Sequence, residues 1–408
     1  MESEEDKMIK DFEKKIRAYA LKNALAHDGK AMQGPVISSL FNEGLKPGEV
    51  GKYAKKISEI ILEVNSLNIK EQEKEFEKLE KKVHEREVRE GLEELPGVDK
   101  KKGVVMRFRP SPSGFIHVGN IISNMSSSLY VRKYGGKFYV IIDDTNPESI
   151  LPNAYEQIKK DCDWIFGNVY KYINSSDRMK IYYDYIEKLI KKNAVYVCTC
   201  KSEKFKKLIE EKKNCPCRKN SVKENTEKWK KMLDKKGFKE EQAVVRLKSN
   251  MKDKNPAMRD FPLARINLTK HHLQGNKYRV WPLMNLVVAV DDIELKMTHI
   301  IRGKDHMDNA KRQKMIFDVF KKKYPWTFFI GRIKFTDLVL SKRKITELVN
   351  KGEFSGYEDE RLPTIASLRK RGYKREAFAK FAEHQGLNDV DKVMSGKEFF
   401  QLLDNFNK

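Results

Sequence analysis

The sequence predicts an α/β protein: an open, doubly wound parallel sheet, interrupted by an inserted α+β domain and flanked at both ends by helical segments. Three observations predict it. Two short apolar, β-prone runs, Gly103–Met106 and Lys137–Ile142, stand either side of a stretch of helical character, which is the spacing of a parallel strand–helix–strand unit. A lysine-heavy stretch with paired cysteines breaks the alternation from 198 to 278, and apolar strand and helix patterns resume from 279. Residues 1–100 show helical periodicity alone.

Taken in order, the extension at 1–100 places Phe12, Ile16, Tyr19 and Asn23 on one helical stripe and Tyr53, Ile57, Ile60, Ile61 and Val64 on another, with breakers at His27–Lys30 and Gln33–Pro35. Lys70–Glu94 is nearly all Glu and Lys, with Phe76, Leu79 and Val83 at helical spacing; a long solvated helix is expected, ended by Leu95-Pro96-Gly97. Nothing there carries chemistry. From 101 to 197 the expected elements are the strand at 103–106, a helix over Ile121–Tyr134, the strand Lys137–Ile142 after the Gly135-Gly136 turn, helices Tyr155–Phe166 and Met179–Lys191, and a strand Ala194–Val197. In 198–278 a helical insertion, Lys201–Lys236, precedes β character at Ala243–Lys248 and Phe261–Asn267. From 279 to 346 come an apolar run ending in Asp291-Asp292, a strand carrying Arg302, Asp305 and His306 to one rim, a helix Asn309–Lys322 and a strand Gly331–Phe335. Residues 347–408 read as mainly helical, with Arg361-Leu362-Pro363-Thr364 as a helix start and Arg369–Arg375 strongly basic.

A chain of 408 residues is long enough for two or three domains with cores of their own. Its formal charge of +24, with 35% charged residues of both signs, suits a polyanionic partner, nucleic acid first; a proteome rich in lysine throughout would produce the same figure. No apolar run approaches the roughly 18–20 residues that span a bilayer, the acidic Met1–Asp6 is unlike a secretion signal, and a reducing cytoplasm is expected. Four of the five cysteines form two Cys-x-Cys pairs, Cys198/Cys200 and Cys215/Cys217, a pattern for a tetrahedral structural zinc site; four reduced thiols near a surface hairpin is the competing reading.

His117 and Gly119 lie where the first strand turns into a helix. Free N–H groups and the helix dipole attract phosphate at such a place, and Gly119 lets backbone approach a nucleotide closely. Far downstream, Val339–Lys344 is a basic, Ser-containing loop that brings Lys342 and Arg343. In-line attack of a carboxylate on an α-phosphate needs positioning and cancelled phosphate charge rather than a covalent nucleophile, and these groups could supply both. Asp143, at the end of its strand, faces the ligand crevice. Asp305 is placed to accept from a ribose or adenine, and Mg²⁺ suits a bound triphosphate because it needs few protein ligands.

An H-x-G turn paired with a remote Ser-Lys-Arg loop is how class I aminoacyl-tRNA synthetases hold ATP. The chain resembles the glutamyl-tRNA synthetases in their archaeal form, which share ancestry with the glutaminyl enzymes. Seven segments arrive in the family's order: Arg107–Gly114, Asp143–Pro147, Asn255–Asp260, Val290–Asp292, Arg302–His306, Leu340–Arg343 and Arg361–Thr364. The resemblance runs to about residue 404 and includes the helical extension. It implies a class I synthetase Rossmann-like sheet with an acceptor-arm-binding domain inserted at 198–278, and ATP-dependent joining of L-glutamate to tRNA(Glu), with Mg²⁺ and a structural zinc. Carried onto matching positions, it implies His117, Lys342 and Arg343 for catalysis and Gly119, Asn120, Asp305, Ser341 and Lys342 for ATP. It implies Arg107, Ser111, Asp143, Met284 and Arg302 for glutamate, with Asp143 taking the α-amino group. Arg302 favours glutamate over glutamine, because two carboxylates want two cations.

Four positions depart from the family. Asn120 replaces the second histidine of H-x-G-H, Val339 the leading lysine of K-x-S-K, Met284 a pocket tyrosine, and Ile141 an arginine before the acidic pair. Family members continue past Phe406-Asn407 into β-barrels that read the anticodon, so a catalytic body without that reader is expected: a fragment, half of a split gene or a natural short form. A separate C-terminal polypeptide would then supply anticodon recognition, tRNA(Gln) would be a second candidate substrate, and the chain would act as a monomer. The alternatives are a glutaminyl-tRNA synthetase, a truncated paralogue that glutamylates a tRNA base, a nucleotidylyltransferase and a non-catalytic tRNA-binding subunit.

Overall fold

Gly103 and Gly136 open the two strands on which the site is built. Both have positive φ, 67° and 116°. A Cβ would lie 2.2 Å from the Gly135 carbonyl oxygen at the first position and 2.1 Å from that of Val104 at the second, so only glycine allows the strands to start this close together. The computed structural model describes residues 4–41, 43–45, 47–83 and 91–408, in two units, Met1–Val88 and Arg89–Lys408.

Among its described residues the first unit has four α-helices: α1 (Glu4–Ala26), α2 (Gln33–Phe41), α3 (Val50–Ser66) and α4 (Ile69–Leu79). The expected stripes meet in its core, where Ile16, Leu21, Val36, Leu40, Ile57 and Val64 are fully buried and the rings of Phe12 and Tyr53 lie 4.8 Å apart. Asn68 and Glu71 form a reciprocal cap that starts α4. The long helix expected over Lys70–Glu94 ends instead at Leu79: one 3₁₀ turn follows and Val83 turns back onto the core. Residues 84–90 of that expectation lie outside the described residues.

The second unit begins with a parallel sheet of β1 (Val104–Phe108), β2 (Gly136–Ile142) and β3 (Lys171–Asn174), with α5 (Val118–Tyr134) and α6 (Ala154–Ile165) as crossovers. β1 and β2 pair from Val104↔Gly136 to Phe108↔Val140. Period-two alternation then sorts the side chains. Val104, Met106, Phe108, Phe138, Val140 and Ile142 enter the main core, whereas Val105, Tyr139 and Ile141 pack on the other face with Met297.

After α7 (Met179–Lys191) the inserted domain is an antiparallel sheet, β4 (Val195–Cys198), β5 (Val244–Leu247), β6 (Pro262–Ile266) and β7 (Val280–Pro282), with α8 (Ser202–Glu210) and α9 (Val222–Leu233). Val280–Pro282, expected in the second half of the parallel core, closes this sheet by pairing with Ala264–Ile266. The apolar run beyond it is a helix, α10 (Met284–Glu294), buried on so many sides that no period could show in the sequence.

The chain returns through β8 (His299–Gly303), α11 (Met307–Val319) and β9 (Trp326–Ile330). β8 and β9 are parallel. Thr298 joins them to the first sheet: its N–H donates to Val105 O at 3.0 Å, and its Oγ1 accepts from Val105 N–H at 2.9 Å. β10 (Ile333–Phe335), α12 (Lys342–Asn350), α13 (Ile365–Lys370), α14 (Arg375–Gln385), β11 (Lys392–Met394) and α15 (Gly396–Phe406) complete the unit. Thr364 caps α13 as expected, its side chain accepting from Ser367 N–H. Among the described residues no helix is long and apolar enough to cross a membrane.

Candidate active site

The turn from β1 into α5 is braced from a distant part of the chain. Ile365 N–H donates to Ile116 O (2.9 Å) and Val118 N–H to Pro363 O (3.0 Å), so the Leu362-Pro363-Thr364 segment holds the turn like a short strand. His117 is the N-cap residue, and its backbone N–H is taken by Asn120 Oδ1 at 3.2 Å. Asn120 therefore stabilises the helix start directly. A Cβ at Gly119 would lie 3.2 Å from both the His117 ring and Leu340, tight enough to force a shift. Burial, then the nearby Lys342 cation, push the His117 pKa down to about 3, so the ring is neutral at physiological pH. Its Nδ1 is buried with no hydrogen-bond partner among the described residues.

Lys342, the first residue of α12, reaches across to the same turn. Its Nζ donates to Ser111 O (2.8 Å) and Gly114 O (3.1 Å). Gly114 admits the lysine stem: a Cβ there would come 3.1–3.3 Å from three of its carbons. Burial lowers the Lys342 pKa to about 8. Ser341 caps α12 by accepting from Lys344 N–H, and Ser341 and Arg343 are exposed. His117, Gly119, Asn120, Ser111 and Lys342 thus meet at one turn, whereas Arg343 stands at the surface beside it.

Arg107 and Arg302 form a second centre. Arg107 is buried and makes a two-pronged pair with Asp292, at 2.5 Å from Nε and 2.8 Å from Nη2. Arg302 donates from Nη1 to Gln313 Oε1 at 2.9 Å, and its Nε is buried without a partner. Among the described residues no carboxylate lies within ion-pair distance of Arg302. Burial first, and the Arg107 guanidinium second, push its pKa down to about 10. Here is a half-buried cation with a buried donor still unpaired. Met284 opens α10, half-buried, and Asp305 is exposed, pairing with His306 at 3.5 Å.

The two acids at the end of β2 have separate fates. Asp144 is fully buried and structural: it accepts from Ser176 N–H and Oγ–H, both at 2.7 Å, and from Tyr155 O–H at 2.9 Å. Its backbone carbonyl accepts from His271 Nε2, whose Nδ1 already takes two N–H groups. Asp143 stays half-buried, with Arg109 Nε and Thr145 Oγ1 each 3.4 Å from its carboxylate. Arg109 also donates to Asp291 Oδ2 (2.7 Å) and Ser175 Oγ (2.9 Å). Asp291 in turn accepts from Arg178 (2.7 Å) and Tyr182 (2.9 Å). Arg109, Asp291 and Asp292 lie inside sequence motifs that by themselves assign them no role. The one available signal was two consecutive acids closing an apolar run that has to be buried.

In the inserted domain the four sulfurs of Cys198, Cys200, Cys215 and Cys217 lie within 4.8 Å of one another, with separations of 3.6 Å for Cys198–Cys215 and Cys200–Cys215 and 3.9 Å for Cys200–Cys217. A tetrahedron with metal–sulfur bonds of about 2.3 Å has edges near 3.8 Å, so the set fits one ion.

Comparison with known proteins agrees with this geometry. The family described as "tRNA synthetases class I (E and Q), catalytic domain" matches residues 103–404. A protein of Methanocaldococcus jannaschii named glutamate–tRNA ligase is 39% identical over 96% of this chain and 70% of its own length. One of the same name from Thermococcus kodakarensis is 41% identical over 93% of this chain and 68% of its own. Among solved structures, a glutamate tRNA ligase from Elizabethkingia meningosepticum superposes with a TM-score of 0.53 at 20% identity, covering 74% of this chain and 69% of that one.

The two arginines should behave oppositely in the ligand-free protein. Arg107→Ala strands the fully buried Asp292 and should cost about 3–5 kcal/mol in denaturant unfolding. Arg302→Met removes a cation that has no carboxylate to lose, and should leave stability unchanged or raise it. Equal destabilisation by both would mean that Arg302 has a counter-charge.

Proposed function

The chain belongs to the class I tRNA synthetases for E and Q, and from that premise we propose that it is a glutamate–tRNA ligase. The observation that carries the substrate is Arg302, a half-buried guanidinium whose buried Nε has no partner and which has no carboxylate within ion-pair distance among the described residues, next to an arginine already neutralised by Asp292. Glutamate brings a side-chain carboxylate that glutamine lacks. The relatives' shared name supports the same reading.

In the first step an oxygen of the glutamate α-carboxylate attacks the α-phosphorus of ATP. The bond from that phosphorus to the bridging oxygen breaks, pyrophosphate leaves and glutamyl-adenylate remains. In the second, the 3′-terminal hydroxyl of tRNA attacks the carbonyl carbon, AMP leaves with the bonding pair, and the hydroxyl proton goes to solvent or phosphate. This chain's residues orient and neutralise. Arg302 and Arg107 fix the side-chain carboxylate, with Ser111 and Met284 bordering it, and Asp143 takes the α-ammonium. His117, neutral, and the Gly119 backbone touch phosphate oxygens, Asn120 keeps that turn in shape, and Asp305 holds the ribose. Lys342 exchanges the carbonyls of Ser111 and Gly114 for the polyphosphate, with Ser341 and Arg343 following on the same helix start. Mg²⁺, when bound with ATP, neutralises the triphosphate. The four cysteines hold a structural zinc, since four thiolates leave no open position for catalysis. tRNA(Glu) is the macromolecular partner, and tRNA(Gln) a second candidate.

Glutamate-dependent exchange of pyrophosphate into ATP, run with glutamine and aspartate alongside and with tRNA present and absent, tests the proposal. Arg302→Ala should raise the KM for glutamate by at least about 30-fold, equivalent to roughly 2 kcal/mol, with little change for ATP. Faster exchange with glutamine would sink the substrate assignment.

Burial lowers the Lys342 pKa to about 8, and its protonated form is the one that pairs with phosphate. Because its folded pKa is lowered, the charge is lost as pH rises through about 8, so kcat/KM for ATP should fall above that pH. Lys342→Arg should move this limb upward, since an arginine keeps its charge. An unmoved limb would assign it to another group.

Protein purified without added metal should contain one zinc per chain by elemental analysis. A Cys215→Ser/Cys217→Ser variant should contain none and unfold more readily.

A further inference from the structure

We infer that Arg109 is a positioning residue for recognition of the amino acid's α-amino group, acting through Asp143. The inference rests on the proposed reading of the site as one that activates glutamate. Arg107 and Arg109 are two residues apart at the end of β1, so they project to the same face of the sheet. That face also carries Tyr139 and Ile141 of β2 and then Asp143. The Arg109 side chain is only 7% exposed, and each of its three nitrogens has a different partner.

The bond lengths rank those partners. The short ones run to Asp291 (2.7 Å) and Ser175 (2.9 Å), and they pin the guanidinium to α10 and to the segment after β3. The long one, 3.4 Å, runs to Asp143, which has no other cation within ion-pair distance among the described residues. Asp143 is therefore steered without being consumed. Its carboxylate keeps acceptor capacity for an ammonium, and its backbone is fixed by the N–H bond to Pro110 O at 2.8 Å. Arg109 also stands between two carboxylates, Asp143 and the fully buried Asp291. Without it Asp291 keeps Arg178 and Tyr182, whereas Asp143 loses the one cation that orients its carboxylate and is free to turn away. The pocket then loses its acceptor for the amino group and keeps Arg302 for the side-chain carboxylate.

Glutarate, which is glutamate without its amino group, separates the two contributions. Calorimetric dissociation constants for both acids would be measured on the full chain, with wild-type exchange run in parallel. Arg109→Met should lower the preference for glutamate over glutarate by at least about tenfold while leaving glutarate affinity and the KM for ATP unchanged. Asp143→Asn should give the same loss, and Arg109→Met/Asp143→Asn no more than either alone, as for two residues acting as one unit. Continuing the β1–β2 register one step past Phe108↔Val140 sets Ile141 beside Arg109, so Arg109→Ile/Ile141→Arg should regain part of the preference. If Arg109→Met fails to fold, Arg109→Lys serves: a point charge cannot bridge three partners, and the preference must still fall. An unchanged preference in the folded variant overturns the inference and leaves Arg109 a structural ion pair. Wild-type chain without glutamate-dependent exchange would overturn the underlying reading instead.

Discussion

Two arginines on one face of β1 are gripped by two consecutive aspartates of α10. Arg107 pairs with Asp292 and Arg109 with Asp291. The strand and the helix lie on opposite sides of the whole inserted domain in sequence, so this double clamp fastens the two halves of the parallel core to each other. All four side chains are 7% exposed or less, and pairs this deep cannot lose one member cheaply. Their stability value against apolar replacements is a separate matter. They tie α10 to the end of β1, and from Asn285 of α10 hydrogen bonds run through Gln313 to Arg302.

The clamp also separates neutralised cations from available ones. Arg107 and Arg109 have their acids, whereas Arg302 and Lys342 have neutral partners, a glutamine and two carbonyls. Burial lowers the pKa of both, a sign that each charge is held at some cost in the empty protein. A side-chain carboxylate and a polyphosphate are ligands whose charge would offset that cost. These two cations stand at separate points, one on β8 and one at the start of α12.

Much of this was legible in the sequence. The helix starts and the cysteine pairs were, because breakers, caps and short ligand spacings obey local rules: His117 at the start of α5, Arg361–Thr364 before α13 and the four-sulfur cluster. Elements buried on every side were harder. The run after Val280 contains a strand of one sheet and a helix of another layer, and uniform apolarity hides the change. The pairing of acids with arginines was not legible at all, since nothing local states which carboxylate 182 residues away will meet Arg109. The departure at Ile141 shows the same limit. Against the resembled family an arginine is missing there, yet Arg109 stands at the adjacent register position of the neighbouring strand, on the same face. Read by column, the cation is lost; read by space, it has moved one strand over.

That shift has a packing reason. Ile141 is fully buried against Tyr139 and Met297, in an apolar patch on the sheet face that carries Arg107 and Arg109. A guanidinium issuing from 141 would have to leave that patch to reach the carboxylates. One issuing from 109 starts at the strand's end, where Ser175 and Asp291 already wait to receive it. From Val140 to Ile142 β2 contributes only buried apolar side chains, and the chain then turns abruptly polar at Asp143. The boundary between core and crevice therefore falls between two consecutive residues, and the charge that polices it comes from the next strand.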